Sequence, residues 1–331
     1  MTIRDIAARC GVSVATVSRV INNNPNVSPK TREEVLAVIQ AQGYTPNAFA
    51  RGLGLNTMRM VGILCTDVAN SFYSKAVSLL ERSLRVKGFD TLLCCSGAQL
   101  ADKKKCLELL LQKKVDAVVL VGAAFREKVD NGHIAAAAAQ VPVFLINAWL
   151  DLPNVYCVYC DEKEAMRANV HHMIAAGVRR ILYLHDMVDW AWAGTQKLEG
   201  FRLGLQDCGL AENPDLVRTT ETGVTPAQAL VDALLIQGGG FDGIIASEDL
   251  LAVGAQKALL AHGKVMPLIG FNDSLLAECT TPTITSVNNM LSIICPTAVT
   301  LLDRLLGGEQ APARIAVSAS LVQRESFQLG L

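Results

Sequence analysis

Residues 2–22 of the chain read TIRDIAARCGVSVATVSRVIN. Two short helices joined by a tight turn at Cys10-Gly11-Val12-Ser13 account for this pattern. Thr2 and Asp5 stand at the spacing of a capping box, and Ile3, Ile6 and Ala7 fall on one helical face. Gly11 supplies the backbone freedom that a sharp turn needs, and Ser13 is placed to cap the second helix. On that helix Val17, Val20 and Ile21 can pack inward while Val14, Ala15, Ser18 and Arg19 point elsewhere. This is helix-turn-helix grammar, in which the start of the second helix enters the major groove of DNA. Two amphipathic helices that merely pack together share the pattern, so the surrounding chain has to decide.

Residues 22–28 form a loop rich in Asn and Pro, after which Ser28-Pro29 opens a third helix, with Ser as N-cap and Pro in the first turn. Glu33 and Glu34 lie near its positive end, and Val35, Val38, Ile39 and Gln42 carry it to a stop at Gly43. Three helices in so short a span make a very small core, the size of a DNA-binding headpiece. The charge is divided unevenly along the chain. Residues 1–59 hold seven Lys and Arg against three acids, a net of +4, and the remainder holds 23 basic and 28 acidic residues, a net of −5. A basic head on an acidic body suits a head that meets phosphate.

Next comes PNAFARGLG over 46–54. Pro46 can open one more short helix, but Gly52 and Gly54 weaken it and it is too short to be stable alone. It reads as a linker that folds only when something holds it, with Arg51 as a phosphate or groove contact and Leu53 as an apolar wedge between base steps. An ordinary interdomain linker fits the same residues.

The chain has 331 residues, enough for two or three domains. Half of them (51%) are hydrophobic and only 18% are charged, which supports large cores and argues against disorder. No apolar run has the length of a membrane span, and the polar first helix does not resemble a signal peptide. Ten cysteines without a disulfide rhythm suit a reducing cytoplasm. Cys157-Val158-Tyr159-Cys160 is a CxxC without a second pair, and strand alternation puts its sulfurs on opposite faces, so it reads as structural.

From Met60 the character changes. Apolar β-like runs alternate with helices: MVGILCT and a helix over 74–87, DTLLCC and a helix over 99–113, then VDAVVLVG and VPVFLIN. A second series begins near Asp161, with a helix over 163–176, RILYLH, a helix over 195–208, DGIIAS, a helix over 249–262, and MPLIGF. This rhythm implies βαβ units in parallel sheets. No GxGxxG or Walker A pattern follows any strand, so no nucleotide cofactor is expected. Doubly wound lobes leave a cleft at the carboxyl ends of their strands, and aromatics stand there: Phe72 and Tyr73, Trp149 just beyond Asn147, and Trp190 and Trp192. Each suits a sugar or nucleoside ring, and each could equally be a core residue.

The run from Ile6 through GVSVATVSRVIN, then Val27-Ser28, then Gly43-Tyr44-x-Pro46-Asn47, resembles the lactose/galactose repressor family of bacterial transcription regulators, and VATVSRVINN resembles its galactose-repressor branch. The resemblance implies an all-α helix-turn-helix headpiece over 1–45 and a hinge over 46–59. It further implies an α/β periplasmic-binding-protein-like core over 60–331, made of two doubly wound parallel-sheet lobes, about 60–161 with 291–319 and about 162–290 with 320–331. The chain would cross between lobes near Asp161, Met290 and Ser320. By the same resemblance Val14, Ala15 and Arg19 face base edges, Ser13, Thr16 and Ser18 touch backbone, and the stretch through Asn22 lies in the major groove. Leu53 would be the hinge leucine inserted into the minor groove, beside Arg51.

Three ligand positions depart from the family. Lys197, before Leu198-Glu199-Gly200-Phe201, stands for its ligand-clasping Arg; Glu248, before Asp249, for its pocket Asn; and Asn272, in Gly270-Phe271-Asn272-Asp273, for its Asp. Lys trades a planar fork for a point charge, and Asn gives up a negative acceptor. The set expected to hold an effector is therefore Phe72, Tyr73, Asn147, Trp190, Lys197, Glu248 and Asn272. The departures fit either a differently charged or phosphorylated ligand or a weakened response.

Catalysis fares poorly. The five His (His133, His171, His172, His185, His262) lack metal-ligand spacing, and no GxSxG elbow is present. The expectation is a cytoplasmic regulator, a repressor more than an activator, with no metal or cofactor. Its partners would be double-stranded pseudo-palindromic operator DNA, a small sugar-like effector and a second copy of itself. The chain ends soon after Gln323-Arg324-Glu325-Ser326, without the trailing heptads of the family's tetrameric member, so a homodimer is expected. A sugar-binding enzyme fused to a helical domain is the remote alternative.

Overall fold

A computed structural model describes residues 2–21, 24–43, 57–186 and 192–328. The chain divides into two compact units, residues 1–60 with 114–116 and residues 61–113 with 117–331.

The first unit contains α1 (Ile3–Cys10), α2 (Val14–Ile21) and α3 (Pro29–Ala41). Thr2 and Asp5 close the capping box at the start of α1: the Thr2 hydroxyl accepts from the Asp5 N–H at 3.4 Å and the Asp5 carboxylate accepts from the Thr2 N–H at 2.7 Å. Gly11 ends α1 in the left-handed region at φ 64, where a Cβ is disfavoured, and Val12 N–H donates back to the Ala7 carbonyl at 3.0 Å. Ser13 caps α2 by accepting from Thr16 N–H at 3.1 Å, and Ser28 caps α3 by accepting from Thr31 N–H at 3.2 Å. Ile6, Ala7, Val17, Val20 and Val35 form the buried core, with Ile3, Val12, Ile21, Val38 and Ile39 packed around it.

The second unit holds two six-stranded sheets. The first contains β1 (Met60–Cys65), β2 (Asp90–Cys95), β3 (Ala117–Val121), β4 (Val143–Ile146), β5 (Val155–Cys160) and β11 (Arg314–Val317), in the order β11-β5-β4-β3-β1-β2. The second contains β6 (Ile181–Asp186), β7 (Val217–Thr220), β8 (Gly243–Ala246), β9 (Leu268–Phe271), β10 (Thr285–Asn288) and β12 (Ser320–Val322), in the order β12-β10-β9-β8-β6-β7. The β1–β3–β4–β5–β11 and β7–β6–β8–β9–β10 ladders are parallel, and β12 runs antiparallel to β10. Strand β3, AVVLV, is buried at all five positions, as expected where helices cover both faces of a parallel sheet.

On the first sheet, α4 (Ser71–Val86) and α12 (Leu291–Leu306) cover one face through Leu80, Leu84, Ile294 and Leu302. The other face carries α5 (Leu100–Gln112) and α6 (Gly132–Ala138). On the second sheet, α7 (Glu162–Ala175) and α8 (Trp192–Asp207) pack on one face through Val170, Met173 and Phe201. On its other face lie α9 (Val224–Ile236) and α10 (Asp249–Ala261), and α11 (Leu275–Cys279) follows β9. Gly200 and Gly204 let α8 approach α7 closely: a Cβ on Gly200 would meet the Lys163 carbonyl oxygen at 2.1 Å. The chain passes between sheets three times, after Cys160, after Asn288, and between Val317 and Ser320. Cys157 and Cys160 fall on opposite faces of β5; Cys160 joins the core against α4 and α12, and Cys157 lies against the Leu150 backbone.

Helix α8 begins at Trp192, three residues earlier than the sequence pattern predicts, so Trp192 sits on its first turn and not in a loop. Helix α4 likewise begins at Ser71, because the Asn70 side chain accepts from Phe72 N–H at 2.9 Å and caps it there.

Candidate functional site

Residues at or just beyond the carboxyl ends of β1, β3, β4, β5, β6, β8 and β9 line one cleft between the sheets. Phe72 and Tyr73 follow β1, Gly122 to Ala124 follow β3, Asn147 follows β4, and Glu162 follows β5. From the other sheet come Asp186 at the end of β6, Lys197 on α8, Glu248 after β8 and Asn272 after β9. This is where open α/β sheets bind ligands, at the strand ends flanking the point where strand order reverses, here β1/β3 and β6/β8. The empty space at this cleft is about 570 Å³ when the open solvent at its mouth is counted.

Of the seven residues expected to hold an effector, Phe72, Tyr73, Asn147, Lys197, Glu248 and Asn272 line this cavity. Trp190 lies outside the described residues. Trp149 and Trp192 do not line it. The Arg126 guanidinium lies 5.4 Å from the Trp149 ring and 5.8 Å from the Trp192 ring, and Arg314 lies 4.7 Å from Trp149 and 5.2 Å from Tyr159. Arg126 also donates to the Trp149 carbonyl at 2.9 Å, so both tryptophans belong to a cation–aromatic stack.

The polar side chains are held in place by one another. Asn147 adopts the left-handed region at φ 56, donates from Nδ2 to Glu162 Oε1 at 2.8 Å and accepts from Cys160 N–H at 3.1 Å. The Lys197 ammonium is buried, donates to the Ser247 carbonyl at 3.0 Å, stands 3.9 Å from Glu162 Oε2, and lies 4.2 Å over the Phe271 ring. Asn272 has φ 97 and Asp273 φ 46, a conformation that Asn and Asp tolerate better than most side chains, and Asn272 Oδ1 accepts from Asn289 Nδ2 at 3.0 Å. Asp273 faces away from ligand duty: it accepts from Arg324 at 2.6 Å and from Asn288 at 2.8 Å.

Tyr73 stands over Gly122, where a Cβ would meet its ring at 2.6 Å. Burial raises the Tyr73 phenol above its ordinary value, a hydrogen bond with Thr66 opposes this, and the negative charges of Glu248 and Asp186 add to the rise. Behind the cavity Asp249 accepts from the Ser286 hydroxyl at 2.6 Å and from Ser274 N–H at 2.7 Å. Burial raises its carboxyl, and these hydrogen bonds partly offset the rise. Sequence reasoning missed Glu162 and Asp186. The only signal available was position, since each follows or ends an apolar strand.

In the headpiece, Ser13, Val14, Ala15 and Arg19 are exposed and Thr16 and Ser18 half-buried, so they share the outward side of α2 while Val17 and Val20 are buried. Val14 keeps 42% of its surface exposed, which is a large apolar exposure at a helix start. Asn22, Arg51 and Leu53 lie outside the described residues.

Comparison with known proteins agrees with both units. Residues 2–47 match the family described as bacterial regulatory proteins, lacI family, and residues 58–314 match periplasmic binding proteins and sugar binding domain of LacI family. An HTH-type transcriptional regulator from Lachnoclostridium phytofermentans is 42% identical, over 98% of this chain and 99% of its own length. Among solved structures, the lac repressor dimer bound to operator and the anti-inducer ONPF superposes with a TM-score of 0.86 at 22% identity, covering 98% of each chain. A transcriptional regulator CelR–cellobiose complex gives 0.72 at 28% identity, covering 99% of this chain and all of the other. The chain belongs to the lacI family of bacterial regulatory proteins and is a DNA-binding transcription regulator.

Proposed function

We propose that the protein is an effector-controlled repressor that binds operator DNA as a homodimer in the cytoplasm, and that it is not an enzyme. The observation that carries this reading is the cleft between the sheets, where side chains from both lobes meet around one cavity. A ligand bridging them interacts differently with open and closed lobes, and only such differential affinity shifts an equilibrium between two states. CelR is described in complex with cellobiose and the lac repressor with operator, which supports a sugar or sugar derivative as effector and DNA as its target.

At the DNA, Arg19 would read guanine through its two-pronged guanidinium, Val14 and Ala15 would meet thymine methyl groups, and Ser13, Thr16 and Ser18 would hold phosphates. Asn22 would complete the DNA-contacting stretch, and Arg51 and Leu53, in the proposed hinge over 46–59, would contact the minor groove. Two headpieces would then occupy successive major grooves of a pseudo-palindrome.

The test is selection of binding sites from random duplex DNA by the full chain. The expected result is a two-fold symmetric motif whose occupancy falls steeply with salt. Enrichment of no motif, or a flat salt profile, contradicts it. A thermal-shift screen with sugars, sugar phosphates and nucleosides tests the cleft, since a ligand that binds only the folded core raises its melting temperature.

A further inference from the structure

We infer that Cys65 and Cys95 form an oxidisable pair: a hydroperoxide converts them to a disulfide between β1 and β2, and a small thiol reverses it. The inference does not depend on what binds in the cleft.

Cys65 ends β1 and Cys95 ends β2, and these strands are neighbours in the first sheet. The Ser96 N–H donates to the Cys65 carbonyl at 3.0 Å, which sets the two cysteines side by side. Adjacent strands lie about 4.7–4.9 Å apart, inside the Cα separation of about 4.4–6.8 Å that a disulfide spans. The side chains already meet, with the two sulfurs 3.8 Å apart. A bond between them therefore needs the sulfurs to close by about 2 Å, with no movement of one strand past the other. Cys94 and Cys106 are the rival thiols. Strand alternation sends Cys94 to the opposite face of β2, and the Cys106 thiol is directed at the Cys95 carbonyl, 3.9 Å away, not at its sulfur.

The two thiols differ in access. Cys65 is buried in the core beside Ala76 and Leu80, whereas Cys95 is exposed on the outer strand of the sheet. Burial, with the Cys95 thiol next to it, pushes Cys65 up to about 12, so Cys65 stays protonated and out of reach of an oxidant. Oxidation starts at Cys95. Its sulfur attacks one peroxide oxygen, the O–O bond breaks, and the departing hydroxide takes the thiol proton and leaves as water, or as an alcohol from an organic hydroperoxide. The sulfenic acid left on Cys95 condenses with a thiol. Cys65 is in contact with it, which offsets its small thiolate fraction. As the S–S bond forms, the S–O bond breaks and the hydroxyl leaves with the Cys65 proton as a second water. Two thiols lose two electrons and one peroxide gains them. Two equivalents of a small thiol restore the pair by exchange and leave as their own disulfide. The link lies one residue before Thr66, whose carbonyl accepts from Gly97 N–H at 2.9 Å and whose side chain bonds Tyr73 at the cleft.

The experiment treats the folded full chain with hydrogen peroxide, blocks the remaining thiols with an alkylating reagent in urea, and maps tryptic peptides without reductant. The expected product has lost two of its ten thiols and joins the peptide over 60–75 to the peptide over 88–103. Dithiothreitol should return all ten. Cys94→Ser should keep the link and Cys95→Ser should abolish it, each variant being shown to be folded by its unfolding transition. Cys65→Ala, checked in the same way, should leave a sulfenic acid on Cys95 that dimedone traps. Any other product overturns the inference, whether a link through Cys94 or Cys106, a link between two copies, an oxidised Cys95 that stays unlinked in the unsubstituted chain, or ten intact thiols.

Discussion

Replacing Lys197 by Met removes the ammonium and keeps the length of the stem. In the folded core that ammonium donates to the Ser247 carbonyl at 3.0 Å, lies 4.2 Å over the Phe271 ring, and stands 3.9 Å from Glu162. The hydrogen bond contributes about 0.5–1.5 kcal/mol net, and the cation–ring contact, being desolvated, about 2 kcal/mol. The decisive loss is the third. Both side chains are nearly sealed from water, at 7% and 2% exposed, and removing one partner of a buried pair typically costs about 3–5 kcal/mol, because the other charge is left without compensation. These contributions overlap, so the expected destabilisation of the core is about 3–5 kcal/mol in all. The assay is urea unfolding followed by tryptophan fluorescence, which reports the core because the three Trp are Trp149, Trp190 and Trp192. Glu162→Gln in the same chain should recover most of the loss, since the amide keeps an acceptor for Asn147 and carries no charge. A loss below about 1 kcal/mol for Lys197→Met, or strict additivity of the two changes, would refute the claim that the pair acts as one unit.

Gly200→Ala should destabilise the core by about 1–3 kcal/mol, because the added carbon runs into the Lys163 carbonyl and neither helix backbone can yield; a higher urea midpoint would contradict the close approach of α7 and α8. Ser13→Ala removes the acceptor for Thr16 N–H and should cost the headpiece about 1 kcal/mol, read as a lower melting temperature of a fragment covering residues 1–45; an unchanged melting temperature would remove Ser13 as the cap. Arg19→Ala should weaken operator binding by about 1–3 kcal/mol and relax base preference at one position of the selected motif; an unchanged motif would remove Arg19 from the reading face. His133 sits half-buried with both ring nitrogens shielded and without hydrogen-bond partners among the described residues, and burial lowers its pKa below 6.5. The unfolded chain therefore takes up its proton first as the pH falls, so this contribution to stability is present above about pH 6.5 and is lost below it, down through the folded value. His133→Leu should flatten the decline of stability between pH 7 and 5, and an unchanged slope would show that the imidazole titrates as if in water.

The headpiece was legible almost residue by residue, because its helix ends are local chemistry: Thr2 with Asp5, Gly11, Ser13 and Ser28-Pro29 each act within four residues. The fully buried strands were legible for a different reason, since a run such as AVVLV has no polar face to offer water. The shorter elements were not. Strand β7 reads VRTT, strand β12 spans three residues, and α6 is an alanine run, so none has a pattern strong enough to stand out before the sheet recruits it. In the cleft, aromatic and amide positions could be picked out by their place after strands. Glu162 and Asp186 could not, because an acid after a strand is equally a helix cap or a solvated turn. Their meaning comes from two sheets that bring residues far apart in sequence to one cavity. Trp149 shows the converse: its position after a strand matched a ring-binding role, but its ring packs against the guanidinium groups of Arg126 and Arg314.

In the proposed mechanism, occupancy of the cleft sets operator affinity. The most direct measurement is fluorescence anisotropy of the full chain on its selected operator, with and without a saturating ligand that the thermal-shift screen shows to bind. Operator Kd is expected to change about 5–150-fold, the range of typical allosteric coupling, and ligand affinity by the same factor when operator is already bound. A ligand that binds the cleft tightly and leaves operator affinity unchanged would contradict it.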